Sequence, residues 1–301
     1  MGGFNTVGEI TDADLAGRCW VTQFRKAVAS AATNTNGGID YTYFAGSPPA
    51  NFYASSPLVS SLVESVRGIY VPTVGDGKKQ FLNNVKIMSS ASSATSATNG
   101  RQLLMLADYL LYYPFVDTDA VGEEQTLENT VTLPRYAAGE VIAVSQSASS
   151  ALGQFTITYT NEKGVPGRVS QNNFTTIVAG GGQVVNAFGP AGASYNSFIN
   201  LQAGDEGVSS IQSCTMTAAG GGLMALVIVK PIMLMYFNQE SRRTTTGNLE
   251  SYGACDEFQS VIHKAGLPEI KDGAVLGFFA SGFAGSLASS ILVGTLETVW
   301  Q

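Results

Sequence analysis

The chain has 301 residues, of which 45% are hydrophobic and only 13% are charged, with 34 glycines and a formal net charge of -7. This composition excludes a disordered chain and a charge-rich helical bundle, and the length suffices to bury a sizeable core. The acidic balance and the lack of a basic run argue against direct binding of nucleic acid, because such binding depends on Lys and Arg.

The first hundred residues are predicted to form an extended N-terminal arm and a small mixed region, with the body at 101–301. Thr11 is predicted to cap a helical turn, strands follow at "CWVTQF" and "GGIDYTYF", and a second short helix is predicted at Leu58–Val66. The prolines of "AGSPPANFYASSP" indicate an extended surface segment, and "SSASSATSATNG" indicates a linker.

The strongest helical pattern lies at residues 101–115, "RQLLMLADYLLYYPF". Leu103, Leu106, Leu110 and Tyr113 recur near helical spacing, and Pro114 would end the helix. We therefore predict a helix here that packs on a sheet.

From Asn129 onward the pattern favours short strands separated by turns. In "FTITYTNEKG", for example, Phe155 and Ile157 share one face, Thr156 lies on the other, and the turn is predicted at Asn161–Gly164. The remaining strands are predicted at "TVTLPRY", "EVIAVSQS", "GRVSQNNF", "TTIVA", "QVVNAF", "SFINLQ", "GVSSIQSCTMT" and "LMALVIVKPIMLMYF". The triple glycines at 180–182 and 220–222 are predicted to be wide hairpin turns, and "NQESRRTTTGNLESYG" a polar excursion.

These elements predict a mainly β fold, an antiparallel β-sandwich or jelly-roll-like body with an irregular N-terminal arm and one or two short helices. The uncharged run at 274–294 is long enough to cross a bilayer, but its Gly/Ser-rich centre favours two buried strands joined by a turn, so no membrane partner is expected. Cys19, Cys214 and Cys255 are widely spaced, which favours buried free thiols in a reducing cytoplasm.

Reactive side chains are scarce in the sequence. His263 is the only histidine, which argues against histidine triads and histidine metal sites, and we find no nucleotide-binding glycine motif. We therefore expect no enzyme activity and no cofactor, although a hydrolase that uses two carboxylates brought together by folding stays open.

One acidic stretch, "DTDAVGEEQTLE", partly matches a calcium-binding loop. Asp117, Asp119 and Glu128 take positions 1, 3 and 12, but Val121 at position 5 offers no side-chain oxygen and a strand is predicted to follow. A solvated acidic loop is the favoured interpretation, with these three carboxylates as the alternative metal ligands.

Aromatic residues concentrate in the predicted arm, where they are expected to contact a neighbouring subunit. The alternative is a glycan-binding face. The interface candidates are Trp20, Tyr41, Tyr43, Phe44, Phe52 and Tyr53.

Nine stretches in consistent order resemble a family of uncharacterised structural proteins of tailed bacteriophage virions. They are "CWVTQFRK", "SPPANFYASSPL", "LADYLLYYPFVD", "NTVTLPRY", "FTITYTNEKGVPGRV", "LQAGDEGVSSIQS", "LVIVKPI", "GLPEIKDGAVLGFF" and "LETVWQ".

This resemblance implies a non-enzymatic capsid decoration or cement protein on the outer surface of the virion, assembled in the bacterial cytoplasm. Its implied partners are the major capsid protein and copies of itself in a homotrimer. The alternative is a tail or adsorption protein that binds a host glycan.

Overall fold

The structure is a computed structural model, and it describes residues 3–27, 38–40, 56–64, 68–75, 77–91, 101–178, 181–187, 197–243, 249–258, 266–282 and 290–301. The predicted mainly β, antiparallel architecture is confirmed. The elements are α1 (Val7–Leu15), β1 (Cys19–Ala27), β2 (Gly38–Asp40), β3 (Ser61–Leu62), β4 (Gln80–Ala91), β5 (Arg101–Asp117), β6 (Glu124–Thr126), β7 (Glu140–Ser145), β8 (Gln154–Asn161), β9 (Arg168–Val169), β10 (Asn173–Thr175), β11 (Gln183–Val184), β12 (Asn186–Ala187), β13 (Val208–Ala218), β14 (Leu223–Arg243), β15 (Leu249–Phe258), β16 (Glu269–Ile270), β17 (Leu276–Gly282) and β18 (Ser290–Trp300).

The larger of two sheets contains twelve strands in the order β1-β18-β4-β15-β14-β7-β11-β2-β17-β5-β3, with β16 added beside β4. Strands from both sides of residue 100 share it. Because β14 also pairs with β5, the strands β5, β14, β7, β11, β2 and β17 form a closed ring. Side chains such as Tyr109, Ile142, Val227 and Phe279 form a buried cluster in this ring, which we call the ring cluster.

The rest of the larger sheet curls around a second core, which we call the curl cluster. Phe24 on β1 contacts Phe278 on β17, with ring centroids 5.5 Å apart, although these strands lie far apart in the strand order. Ile69 N donates to Leu276 O at 2.7 Å, and Thr22 Oγ1 donates to Tyr70 O at 2.8 Å. The segment around Ile69 therefore bridges β1 and β17.

The smaller sheet has six strands, in the order β12-β10-β8-β13-β6 with β9 beside β8, and it packs on the larger sheet to form a sandwich. Phe155, Ile157 and Tyr159 of β8 are fully buried in the third core, which we call the sandwich cluster, while Thr156 and its neighbours alternate outward. The predicted facing of β8 is confirmed. The jelly-roll arrangement stays a prediction.

A hydrogen-bonded staple crosses the sandwich. The β8–β13 register shifts between Ile211 and Ser213, and Ile211 uses both its backbone groups elsewhere. Ile211 N donates to the hydroxyl of Tyr113 on β5 at 3.0 Å, and Ile211 O accepts from Asn129 Nδ2 at 2.9 Å. Tyr113 in turn donates to Asn129 Oδ1 at 2.7 Å, so the bulge is satisfied by the opposite sheet.

The helix predicted at 101–115 is wrong, because this segment is the 17-residue strand β5. Its side chains enter different cores, with Leu104 and Leu106 in the curl cluster and Ala107 and Tyr109 in the ring cluster. A strand buried on both faces is apolar throughout, and its leucines then match helical spacing by chance. Pro114 lies at a bulge, where a strand tolerates proline.

The N-terminal predictions also need correction. Residues 3–27 do not form an irregular arm, because Phe4 and Ala13 pack with Phe81 beside the strand ladder of β1 and β18. The N-cap of helix α1 is Thr6, not Thr11, and Thr6 Oγ1 accepts from Glu9 N at 3.2 Å in a capping arrangement that the sequence already contains.

The second helix, predicted at Leu58–Val66, is wrong as well. Leu58 has a φ of 61° and donates to Pro114 O at 2.9 Å, and β3 then pairs with β5. The segment therefore lies along the edge of the larger sheet. Its hydrogen bonds are to residues distant in the sequence, so they form only in the folded chain.

Several predicted strands are irregular in the described structure. Residues 130–136, 176–178 and 197–202 have apolar side chains that pack on the cores, but no strand ladder holds them. Conversely, residues 238–243 and 249–253 of the polar stretch predicted as an excursion belong to β14 and β15, which pair from Asn238↔Ala254 to Arg243↔Leu249. Backbone ladder bonds do not depend on side-chain polarity, and this accounts for the error.

The described glycines of the two triplets, 181–182 and 220–222, do not form hairpin turns. Gly220–Gly222 joins β13 in the smaller sheet to β14 in the larger one. Residues 181–182 likewise lie between β10 of the smaller sheet and β11 of the larger one. An added Cβ at Gly221 would collide with Ser150, and one at Gly222 would collide with Ala148 O. These glycines are needed because loops approach closely at the sheet crossing.

The staple formed by Tyr113, Asn129 and Ile211 predicts a loss of stability in the Tyr113→Phe variant. This change leaves Ile211 N–H buried without an acceptor, and we expect the free energy of unfolding to fall by about 1–3 kcal/mol. Urea denaturation of this variant, compared with Tyr70→Phe at a tyrosine that is 65% exposed, checks it. Equal effects of the two changes would contradict the staple.

Candidate functional site

The most deeply buried charged group in the described structure is Asp108, in the middle of β5, whose side chain is 0% exposed. Its Oδ2 accepts from Arg135 Nε at 2.9 Å, and its Oδ1 accepts from Arg135 Nη2 at 2.7 Å and from Val275 N at 2.8 Å. Tyr136 adds a further side-chain hydrogen bond. Burial raises the pKa of the Asp108 carboxyl, and these donors oppose that shift.

Arg135 reaches Asp108 from a tight turn. Tyr136 N donates to Pro134 O at 2.7 Å, and Arg135 between them has a φ of 63°, a left-handed conformation that is unfavourable for a residue with a Cβ. Arg135 Nη2 also donates to Tyr109 O at 3.2 Å. The bidentate ion pair therefore holds a strained turn against the large sheet.

Further ionisable groups surround this pair. Lys230 is the cross-strand neighbour of Asp108, and its Nζ lies 6.0 Å from the centre of the Tyr136 ring. Burial raises the pKa of Glu140, which the positive charge of Lys230 opposes, and burial followed by the charge of Asp108 raises the pKa of Tyr136. Because Asp108 is saturated with donors and closed to solvent, this group stabilises the fold and offers no open base to a substrate.

A second polar network ties the turn after β8 to the loop before β13. The Asp205 carboxylate accepts from Tyr159 Oη at 2.6 Å, from Arg168 Nε at 2.8 Å and from Asn161 Nδ2 at 2.9 Å. Gln202 N donates to Tyr159 Oη at 2.9 Å. The Arg168 and Tyr159 donors hold the pKa of Asp205 well below its usual range, while burial and the Asp205 hydrogen bond raise the pKa of Tyr159 to about 12.

The acidic loop that partly matches a calcium site does not gather its three carboxylates around one point. Asp117 Oδ1 accepts from Asp119 N at 2.8 Å, and Asp119 Oδ1 accepts from Gly221 N at 2.9 Å. Glu128 belongs to a separate backbone contact with Val59, and residues 129–136, which follow the loop, do not form the exiting helix of such a site. Within the described ranges, no group of three or more His, Cys, Asp or Glu side chains is placed to hold a metal ion.

Of the predicted interface residues, Trp20 is described, and its side chain is 45% exposed on β1. The other five, Tyr41, Tyr43, Phe44, Phe52 and Tyr53, lie outside the described residues, as does His263. Tyr70 is 65% exposed on the segment that bridges β1 and β17. Sequence reasoning missed Tyr70, because "GIYVPTV" reads as an ordinary apolar stretch. We call Trp20 and Tyr70 the β1 surface. Val21 is 53% exposed, but it follows Trp20 on a regular strand and points to the opposite face.

The cysteines and the apolar C-terminal run follow the prediction where the structure describes them. Cys214 is buried, and Cys19 is half-buried with its Sγ 3.6 Å from Glu297 Oε1. The run at 274–294 contains all of β17 and the start of β18. In the part of the chain that the structure describes, no helix is long and apolar enough to cross a membrane.

Comparison with known proteins adds no relative. A scan of family models, a search of curated proteins and a search of solved structures each found no match to this chain.

The buried ion pair of Asp108 and Arg135 predicts a large loss of stability in the Asp108→Ala variant, because Arg135 is left with an uncompensated charge. We expect the free energy of unfolding to fall by about 3–5 kcal/mol. Asp12→Ala, at an exposed carboxylate of α1, is the control and should change it by less than about 0.5 kcal/mol. Chemical denaturation measures both, and a small effect of Asp108→Ala would refute the assigned role.

The lowered pKa of Asp205 predicts that the stability of the protein depends on pH. Because its folded pKa lies below the ordinary value of 3.8, its stabilisation is present above that pH and is lost as the pH falls further. Asp205→Asn should therefore be less stable than the natural protein at pH 7, and this difference should shrink below about pH 4. Urea midpoints at pH 7, 5 and 3 test this. A difference that stays constant with pH would contradict it.

Proposed function

We propose that this protein is a non-enzymatic structural component of a tailed-phage virion, specifically a decoration or cement protein that binds the capsid shell. The virion assignment is supported by the sequence resemblance, and the structural role is supported by how the fold uses its polar groups. The proposed partners are the major capsid protein and further copies of this chain in a homotrimer.

The buried polar groups support a scaffold role. Asp108 fastens a strained turn, Asp205 joins two loops, and Tyr113 staples the two sheets. Each accepts or donates several hydrogen bonds within the chain, so their chemistry is directed at a fixed shape. A subunit that must resist the strain of a packed shell benefits from such a framework.

The observation that carries the proposal is the β1 surface, where large apolar side chains meet water. Trp20 is 45% exposed and Tyr70 is 65% exposed, and Thr22, on the same face of β1 as Trp20, connects their two segments through its hydrogen bond to Tyr70 O. Neighbouring exposed apolar groups of this size are typical of surfaces that another protein covers. We propose that this surface contacts the shell, with the acidic remainder of the protein facing outward and away from the genome.

Copy number is the first test. Quantitative mass spectrometry of purified particles should find this chain at a count equal to the major shell protein or to a simple fraction of it. A handful of copies per particle would favour the tail, and absence from particles would refute the virion proposal.

Trp20→Ala tests the surface itself. We expect this variant to bind particles lacking the protein at least tenfold more weakly, because interface aromatics commonly contribute more than 1.4 kcal/mol. Leu152→Ala, at a residue 41% exposed on a loop before β8, is the matched control and should bind normally. Co-sedimentation measures binding, and thermal unfolding confirms that both variants are folded. Equal binding by the two variants would exclude the β1 surface as the contact.

A further inference from the structure

The outer face of the smaller sheet presents a regular array of uncharged side chains. Cross-strand partners share a face, so the register places Thr215 beside Thr156, Val169 beside Thr158, Ser210 beside Thr160 and Phe174 beside Gln154. Because Phe155, Ile157 and Tyr159 fill the sandwich cluster, these partners point away from it. We call this set of outward residues on β8, β9, β10 and β13 the threonine face.

The hydroxyls at the centre of this face are not used by the fold. The side-chain hydroxyls of Thr156, Thr158 and Thr215 have no hydrogen-bond partner among the residues that the structure describes. Other hydroxyls nearby are engaged, since Thr160 Oγ1 accepts from Gln212 Nε2 at 3.0 Å. The central hydroxyls can therefore donate to and accept from a ligand.

One end of the face is pre-ordered by amides. Asn172 Nδ2 donates to Gln154 Oε1 at 2.9 Å, and Thr217 Oγ1 donates to Asn172 Oδ1 at 3.3 Å. This chain fixes the amide of Gln154 beside the half-buried ring of Phe174. Ordered amides cost less conformational entropy on binding than free ones do.

The charge and shape of the face select the ligand. The outward residues of β8 and β13 carry no charge, and Glu124 on β6, next to Thr215, is the only charged partner in their registers. Phosphate, nucleic acid and anionic lipid need cations that this face does not offer. Val169, 49% exposed, and Phe174 give apolar contact, but too little for the core of a protein interface.

We infer that the threonine face binds a neutral oligosaccharide. A pyranose ring combines hydroxyls, which pair with Thr and Gln side chains, with apolar C–H faces, which pack on Phe174 and Val169. The site is built from other residues than the aromatic candidates at 41–53, which lie outside the described residues. It requires no virion, so the inference holds or fails independently of the proposed function.

The test is a glycan microarray of neutral and acidic oligosaccharides, followed by calorimetric titration of the best neutral hit against the purified full chain. The double variant Thr156→Val/Thr158→Val removes two hydroxyls and keeps β-branched side chains. We expect at least a tenfold loss of affinity, since two hydrogen bonds contribute about 2 kcal/mol together. Thr73→Val, at an exposed threonine away from this sheet, is the control and should bind normally.

Three results would overturn the inference: no glycan bound, only acidic glycans bound, or neutral binding that the double variant retains. Sedimentation analysis can give a fourth such result. If the natural chain self-associates and the double variant does not, the threonine face is an interface between copies of this chain. If the double variant unfolds early, Thr215→Val alone serves in the same titration, and unchanged affinity for the neutral hit would likewise overturn the inference.

Discussion

The antiparallel pairing of β5 with β14 is the constraint on which the rest of the structure depends. These strands of 17 and 21 residues border the curl, ring and sandwich clusters. Cross-strand pairs contribute to each of these clusters, for example Leu106–Met233 to the curl cluster, Tyr109–Val229 to the ring cluster and Tyr113–Leu226 to the sandwich cluster. Two paired apolar strands of this length must be shielded from water on both faces. The ring, the curled part of the larger sheet and the smaller sheet each shield a different part of them.

Buried polar side chains form hydrogen bonds where the register between β5 and β14 shifts. At the bulge beside Pro114, Gln146 Oε1 accepts from Phe115 N at 2.6 Å, and Phe115 has a φ of 61°. Asp108 lies between two further register shifts, where Arg135 binds it. The chain thus uses its few buried polar groups to repair breaks in a ladder, since unpaired backbone groups in a core are costly.

The two exposed surfaces differ in chemistry in a way that suits different partners. The β1 surface is aromatic, and it lies where the larger sheet curls back on itself. The threonine face is uncharged and hydroxyl-rich, and it lies on the smaller sheet. A rigid sandwich that connects these surfaces can be held by one and expose the other, which is consistent with both proposals.

The sequence by itself determined the mainly β class, the alternating faces of β8, the turn at Asn161–Gly164 and the buried Cys214, because these follow from local periodicity and turn chemistry. Only the tertiary structure decided that residues 101–117 form a strand, because a segment buried on both faces has no polar side to reveal its period. It also decided the partners of Asp108, Asp205 and Tyr113. Arg135 lies 27 residues from Asp108, and Ile211 lies 98 residues from Tyr113, so only chain folding brings these groups together.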